Sequence, residues 1–262
     1  MVALRIHDLA FHYDAHPVFS GVEIEIEKGE VVSIVGKNGA GKSTLLKCIN
    51  HILTPSCGTV FVDSQDVATL PSRTRARKIG YLSQKNESLF PTTVFETVLA
   101  GRYPHSPIRF TRRDEQIVAE TLSAMGLGEF AQRPMDHLSG GEQQQVLIAR
   151  ALAQNADVLL FDEPTSSLDL RHQLDIMHAL HRVASERNIT AVIAIHDLNL
   201  AAAFSDRMIV MHDRKIFASG APSAVLTTGT LNEAFGVDVK VYDHGGVPHV
   251  VVLADTKQPH RG

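Results

Sequence analysis

Two cysteines, Cys48 and Cys57, occur in 262 residues and form no C-x-x-C pair. That excludes a disulfide framework and a cysteine zinc site, and it suits a reducing cytoplasm. No run of 18 apolar residues occurs, and the opening "MVALRIHDLAFHY" lacks a signal-peptide pattern. The expectation is a chain that neither spans a membrane nor is exported. Charge of one sign is also missing: 25 basic residues face 29 acidic ones, a net of -4, so the bulk composition carries no nucleic-acid signature. Internal repeats, low-complexity segments and heptad runs are absent. The 14 histidines are many, but "HALH" (178–181) lacks the carboxylate partner of a zinc protease and reads as surface. One basic cluster, "RTRARK" (73–78), reads as a solvated helix face.

What is present is a core. The chain is 44% hydrophobic and long enough to bury a sizeable interior. "VEIEIE" (22–27) alternates cleanly, as in a half-exposed antiparallel strand. "VVSIV" (31–35) is continuously apolar, as in a strand buried on both faces. "GTVFVD" and "KIGYLSQ" read as two more strands. From about Leu89 to Ala153 the texture is helical, with segments near 94–100, 114–125 and 141–153. Strand signals return at "VLLFDEP" and "TAVIAIHD", separated by an amphipathic helix near 170–187. The tail reads as short helices and a hairpin, "VDVKVYD", "HGG", "VPHVVVL". The pattern is an α/β core interrupted by a helical insert.

The chemistry sits at turns. "GKNGAGKST" follows a buried strand and precedes a helix, the context of a phosphate loop. Its glycines let backbone N–H groups point at phosphate oxygens, and the helix N-terminus adds partial positive charge. Lys42 would reach the β- and γ-phosphates, the Ser43 hydroxyl would ligate Mg²⁺, and Thr44 would meet the α-phosphate. Asp162 and Glu163 end an apolar strand where open α/β sheets bind ligands. Asp162 suits Mg²⁺, and Glu163 suits a group that orients or deprotonates water. His196 and Gln84 end neighbouring strands and would face the same γ-phosphate region from opposite sides. Tyr13 precedes the loop and could stack on a base. "LSGGEQQQV" (138–146) opens a second helix on paired glycines, a second anion site with the Ser139 hydroxyl as an added donor.

Taken in order, Tyr13, "GKNGAGKST", Gln84, "LSGGEQQQV", "VLLFDEPTSSLD" and His196 resemble the ATP-binding subunits of ABC transporters. The resemblance implies a P-loop (RecA-like) α/β core with an N-terminal antiparallel β subdomain and an inserted α-helical subdomain. Residues 1–88 and 154–220 would form the core, 89–153 the helical subdomain, and 221–262 the tail. Gly36, Asn38, Gly39, Ala40, Gly41, Lys42, Ser43 and Thr44 fall on Walker A, and Tyr13 on the adenine-stacking aromatic. Gln84 falls on the Q-loop, Asp162 and Glu163 on Walker B and its catalytic glutamate, Asp169 on the D-loop, and His196 on the switch histidine. Glu163, His196 and Gln84 would be catalytic, and Ser43, Gln84 and Asp162 would hold Mg²⁺. Lys37 holds a variable place in the loop, and no role follows from its charge.

In that family two copies pack head to tail, so Ser139, Gly140, Gly141 and Asp169 would serve the partner's ATP. Gln143–Gln145 would stay polar for that interface. "GRYPH" (101–105) and the tail "FGVDV" are similar to importers of iron–siderophore, haem and cobalamin complexes. The implied partners are a second copy, a polytopic permease and a substrate-binding protein, with no nucleic acid. The implied place is the cytoplasmic face of the inner membrane, held peripherally. An exporter or lipid-transport ATPase shares the same catalytic motifs. A non-transport ABC protein acting on DNA or ribosomes usually needs a long coiled coil or two cassettes.

Overall fold

The computed structural model describes residues 1–84, 92–106, 108–166 and 168–253. The expected start of the helical insert at Leu89, the Ser167 of "DEPTSSLD" and the last residues of the tail lie outside them. Strands β1 (Val2–Tyr13) and β2 (His16–Glu27) open the chain as an antiparallel pair. In β2, Val22, Ile24 and Ile26 are buried while Glu23, Glu25 and Glu27 are exposed, the period of two that the sequence carries. β3 (Val31–Val35) is buried throughout and feeds α1 (Lys42–Ile49). β4 (Cys57–Val62) and β5 (Gln65–Asp66) complete a four-stranded antiparallel sheet, order β2-β1-β4-β5. α2 (Ser72–Lys78) leads into β6 (Ile79–Leu82), and α3 (Val94–Leu99), α4 (Arg112–Ala124) and α5 (Gly140–Ala153) follow. Then come β7 (Val158–Asp162), α6 (Leu170–Arg187), β8 (Thr190–Ala194), α7 (Leu198–Phe204), β9 (Arg207–His212) and β10 (Lys215–Gly220). α8 (Pro222–Val225), α9 (Thr228–Phe235) and the hairpin β11 (Val239–His244) and β12 (Val247–Val252) close the tail.

The second sheet has six strands in the order β10-β9-β3-β8-β7-β6. Every pairing in it is parallel except that of β10 with β9. β3, β7 and β8 are buried on both faces, and alternate residues of the sheet feed two different cores. Val31, Leu159, Phe161, Ile193 and Val210 join one core with the helices after residue 92. Val32, Leu160, Val192 and Ile209 join the other, with α1 and the antiparallel sheet. β9 was not anticipated in the sequence. Its "RMIVMH" is as apolar as β3, and that run was the available signal.

The helical region locks onto the sheet through "GRYPH". Arg102 is 6% exposed, and its Nε donates to Asp114 Oδ1 at 2.9 Å. Its guanidinium also donates to Ala153 O at 2.9 Å, at the C-terminus of α5, where a cation suits the helix dipole. Arg73 and Arg77 of α2 each donate through Nε to Pro104 O, at 2.9 and 2.8 Å. The expectation of a merely solvated basic face is therefore corrected: one turn of arginines grips the loop of the helical region. Gln154 Nε2 donates to Ile79 O at 3.2 Å and to Ala76 O. At the other end of the fold, Asn199 of α7 and Val250 of β12 exchange two hydrogen bonds, at 2.7 and 3.2 Å.

Asp114 is 3% exposed. Burial opposes its ionisation, but hydrogen bonds from Thr111, Ser106 and Arg102 outweigh it and hold the carboxyl well below the usual carboxylate range. Arg102→Leu leaves that charge buried without its ion partner, and a loss of about 3–5 kcal/mol in chemical denaturation is expected. The folded pKa is depressed, so the stabilisation is present above the unfolded value of about 4 and is lost as pH falls through the folded one. The stability gap between wild type and Asp114→Asn should accordingly narrow in acid.

Candidate functional site

The parallel register brings the carboxyl ends of β3, β6, β7 and β8 to one edge of the sheet. Beyond β3, the loop 36–41 turns into α1 at Gly41, whose φ is +95°. A Cβ there would lie 2.8 Å from Val18 Cγ1, so the left-handed turn and the close approach both require glycine. No side chain caps α1. Its first N–H groups are left for an external anion. Lys42 is nearly buried, and its ammonium donates to Gly36 O at 2.9 Å and Lys37 O at 3.3 Å. Burial lowers its pKa, against the opposing pull of Glu163 and Asp162. Ala40 N donates to Lys37 O at 3.1 Å, which closes the loop. Lys37 thus enters through its carbonyl, not its charge.

β7 delivers Asp162 and Glu163. Ser43 Oγ donates to Asp162 Oδ1 at 2.7 Å, and Tyr81 OH donates to Asp162 Oδ2 at 3.1 Å. The Tyr81 hydroxyl was not found by sequence reasoning. It lies on the strand beside β7, and only the pairing of those strands reveals it. Burial first, and then the Asp162 charge, push its pKa up. At Glu163 the chain turns left-handed with φ +51°, and its N–H donates to Ala194 O at 2.9 Å. A non-glycine residue in this region is uncommon and is held here by its surroundings. Because β7 lies between β6 and β8, Glu163 is flanked on both sides. Gln84 Nε2 donates to its Oε2 at 2.6 Å, and His196 Nε2 meets its Oε1.

A cavity of about 580 Å³ opens over this edge. Asn38, Gly39, Gly41, Lys42, Ser43 and Thr44 line it, with Gln84, Glu163 and His196 opposite and Tyr13 at its rim. Tyr13 is 49% exposed, and its ring meets Phe11 edge-on at 4.8 Å. The volume lies within the ordinary range for ligand sites.

Ser139, Gly140, Gly141 and Asp169 line a different cavity, of about 530 Å³, in which Gln84 is the residue shared with the first. Ser139 caps α5: its hydroxyl donates to Glu142 Oε2 at 2.7 Å and accepts from Glu142 N at 3.3 Å. The hydroxyl bond, with a second from the Ser139 N–H at 2.7 Å, holds the Glu142 carboxyl below its usual range. The expected free Ser139 donor is therefore engaged within its own helix turn. Gln143 donates to Met135 O and Leu138 O, at 3.0 and 3.1 Å, and Gln144 donates to Pro164 O at 2.9 Å. These two glutamines brace their own chain, and Gln144 also lines this cavity. Asp169 caps α6 and accepts from the N–H of His172 at 2.9 Å. A Cβ on Gly141 would lie 2.8 Å from His172 Cδ2. His172 is the other residue that the sequence reading missed; the Asp-x-x-His spacing at a helix start was its signal.

Residues 19–166 match the ABC transporter family model. The chain is 36% identical to the ferric enterobactin transport ATP-binding protein FepC of Escherichia coli, over 97% of this chain and 95% of FepC. It belongs to the ABC transporter family. It is 42% identical to the hemin import ATP-binding protein HmuV of Bradyrhizobium diazoefficiens, over 89% of this chain and 88% of HmuV. Among solved structures, an inward-facing metal-chelate type ABC transporter matches with a TM-score of 0.85 at 30% identity, over 98% of this chain and 99% of that one. The expected fold and the resemblance both hold, and the chain is an ATPase of this family.

Tyr81→Phe removes one of the two hydrogen bonds that Asp162 accepts from side chains. A loss of about 1–3 kcal/mol is expected, read from urea unfolding.

Proposed function

We propose that this ATPase powers import of a metal chelate, whether an iron–siderophore, haem or cobalamin, through a membrane permease, acting as a head-to-tail pair of copies. The carrying observation is that the starts of α1 and α5, each opened on glycine, line separate cavities. The phosphate loop, Lys42 and Glu163 share one cavity, while Ser139–Gly141 and Asp169 share the other. A second copy turned end to end brings the two kinds of cavity together around each nucleotide.

In this reading the triphosphate of ATP lies over the uncapped start of α1, with Lys42 beside it and the adenine against Tyr13. Gly36, Asn38, Gly39, Ala40 and Gly41 shape the loop, and Thr44 faces the α-phosphate. Ser43 and Asp162 offer hard oxygen donors suited to Mg²⁺, with the Gln84 amide oxygen a third. That ion, when bound, offsets the charge of the β- and γ-phosphates. Glu163 orients the attacking water and accepts its proton, since each carboxylate oxygen keeps a second lone pair beside its contact with Gln84 or His196. His196 and Gln84 hold the carboxylate in place. Gly140, Gly141 and Ser139 of the second copy close on the γ-phosphate, with Asp169 beside them in the interface.

The cargo class rests on the names carried by the relatives and on the likeness to a metal-chelate type transporter. Among the described residues no helix is long and apolar enough to cross a membrane. The reading therefore puts the chain on the cytoplasmic face of the inner membrane through contact with protein. Tyr103 of "GRYPH" and the nearby Ile108 are 57% and 98% exposed and offer apolar surface to a permease, with a substrate-binding protein on its far side.

Glu163→Gln should bind ATP nearly normally, hydrolyse it about 100-fold slower or more, and accumulate as an ATP-dependent dimer. Adding Gly141→Asp should abolish that dimer by repelling the γ-phosphate while leaving ATP bound to the single chain. Sedimentation with labelled ATP measures both, and near-normal turnover in Glu163→Gln removes that residue from the mechanism. When co-expressed with its permease, the chain should fractionate with membranes and drive uptake of one chelate class in vesicles. A chain that stays wholly soluble there overturns the import reading.

A further inference from the structure

The ring of His172 joins two segments that are thirty residues apart in sequence and adjacent in space. Its Nδ1 lies 2.9 Å from both Asp169 Oδ1 and Asp169 Oδ2. A carboxylate can only accept there, so Nδ1 carries the proton. The opposite edge of the ring lies against Gly141, where an added Cβ would fall 2.8 Å from Cδ2 and 3.2 Å from Nε2. Both neighbours and His172 itself line the second cavity. Among the described residues, nothing bonds to Nε2. The backbone N–H and ring of His172 together hold the Asp169 carboxyl below its usual range.

Gly140 and Gly141 differ in this respect. A side chain on Gly140 would meet nothing within 4 Å, whereas one on Gly141 would strike the ring. The second glycine therefore has a local reason to be glycine: it makes room for His172.

We propose that His172 is a positioning residue of the partner-facing site, tying the Asp169 carboxylate to the glycine start of α5 so that the helix start meets the terminal phosphate of the partner's nucleotide while the carboxylate, which a phosphate would repel, is held to one side of it. The proposal rests on the head-to-tail reading above. The capping box fixes the axial start of α5, but paired glycines give it no side chains to hold it laterally, and a shift of about 1 Å in a positioning element costs on the order of 100-fold in rate. The ring removes that freedom on one side, and Asp169 fixes the ring on the other.

The test uses the full chain carrying Glu163→Gln, with ATP-dependent dimerisation read by sedimentation and ATP binding read on the dilute single chain. His172→Phe keeps a ring against Gly141 but loses the Nδ1 donor. It should raise the ATP concentration for half-dimerisation about tenfold, the worth of one charge-assisted hydrogen bond, and leave single-chain binding unchanged. In an Asp169→Ala background the same Phe substitution should cost nothing further. Wild-type dimerisation by His172→Phe would reduce the residue to packing and overturn the proposal. So would an equal loss in both backgrounds, since His172 would then act without Asp169. If His172→Phe loses single-chain ATP binding, His172→Gln takes its place with the same two criteria. Failure of the Glu163→Gln parent to dimerise with ATP is a separate result: it overturns the head-to-tail reading and the His172 proposal with it.

Discussion

Glu163 sits at the sheet edge where the strands on either side of its own both reach it. β7 runs between β6 and β8, so Gln84 and His196 arrive from opposite sides and each meets one carboxylate oxygen. The turn that lifts Glu163 out of the strand is closed by its own N–H on Ala194 O, the last residue of β8. Parallel pairing thus determines more than the shape of the core. A slip of one residue in β7 would exchange the two cores' side chains and carry the carboxylate away from the phosphate loop. The burial of β3, β7 and β8 at every position makes that slip costly, because each strand must satisfy both cores.

The helix starts sort themselves by what completes them. α3, α4 and α5 each begin with a reciprocal capping box, Thr93 with Glu96, Thr111 with Asp114 and Ser139 with Glu142. α6, α7 and α9 are also capped by a side chain. α1, α2 and α8 are not, and of these α1 alone starts at a left-handed glycine, Gly41, at the mouth of the phosphate loop. A start without a cap leaves orphan N–H groups that a phosphate can satisfy. α5 stands between the two kinds: Ser139 serves the helix itself, and the glycines beside it keep the remaining approach open.

Much of the site was legible because its residues sit at ends of strongly patterned elements. The apolar runs of β3 and β7 announce themselves, and the residues just beyond them are the phosphate loop and the Asp–Glu pair. Tyr81 was not legible, because its partner Asp162 is 81 residues away and strand order alone brings them together. Glu163's left-handed turn has no composition to betray it. The main-chain bonds of the α2 arginines and the α5 glutamines were not legible either. Polar side chains on a helix look solvated until the main chain they bond to is in place. β9 has a clear apolar run but no motif at its end.

The grip on "GRYPH" is one-sided in its chemistry. Arg73, Arg77 and Arg102 act through their side chains, but most of what they hold is main-chain carbonyl, at Pro104, His105, Ala153 and Gln154. A carbonyl stays in place when its side chain changes. Drift at the receiving positions can therefore reshape the outer surface of the loop while the clamp beneath it persists. The arginines have no such latitude: lysine lacks the planar fork that Arg102 uses to hold Asp114 and the end of α5 together. The joint thus separates two kinds of heritable change, one free to retune a contact surface and one that would undo the fold beneath it.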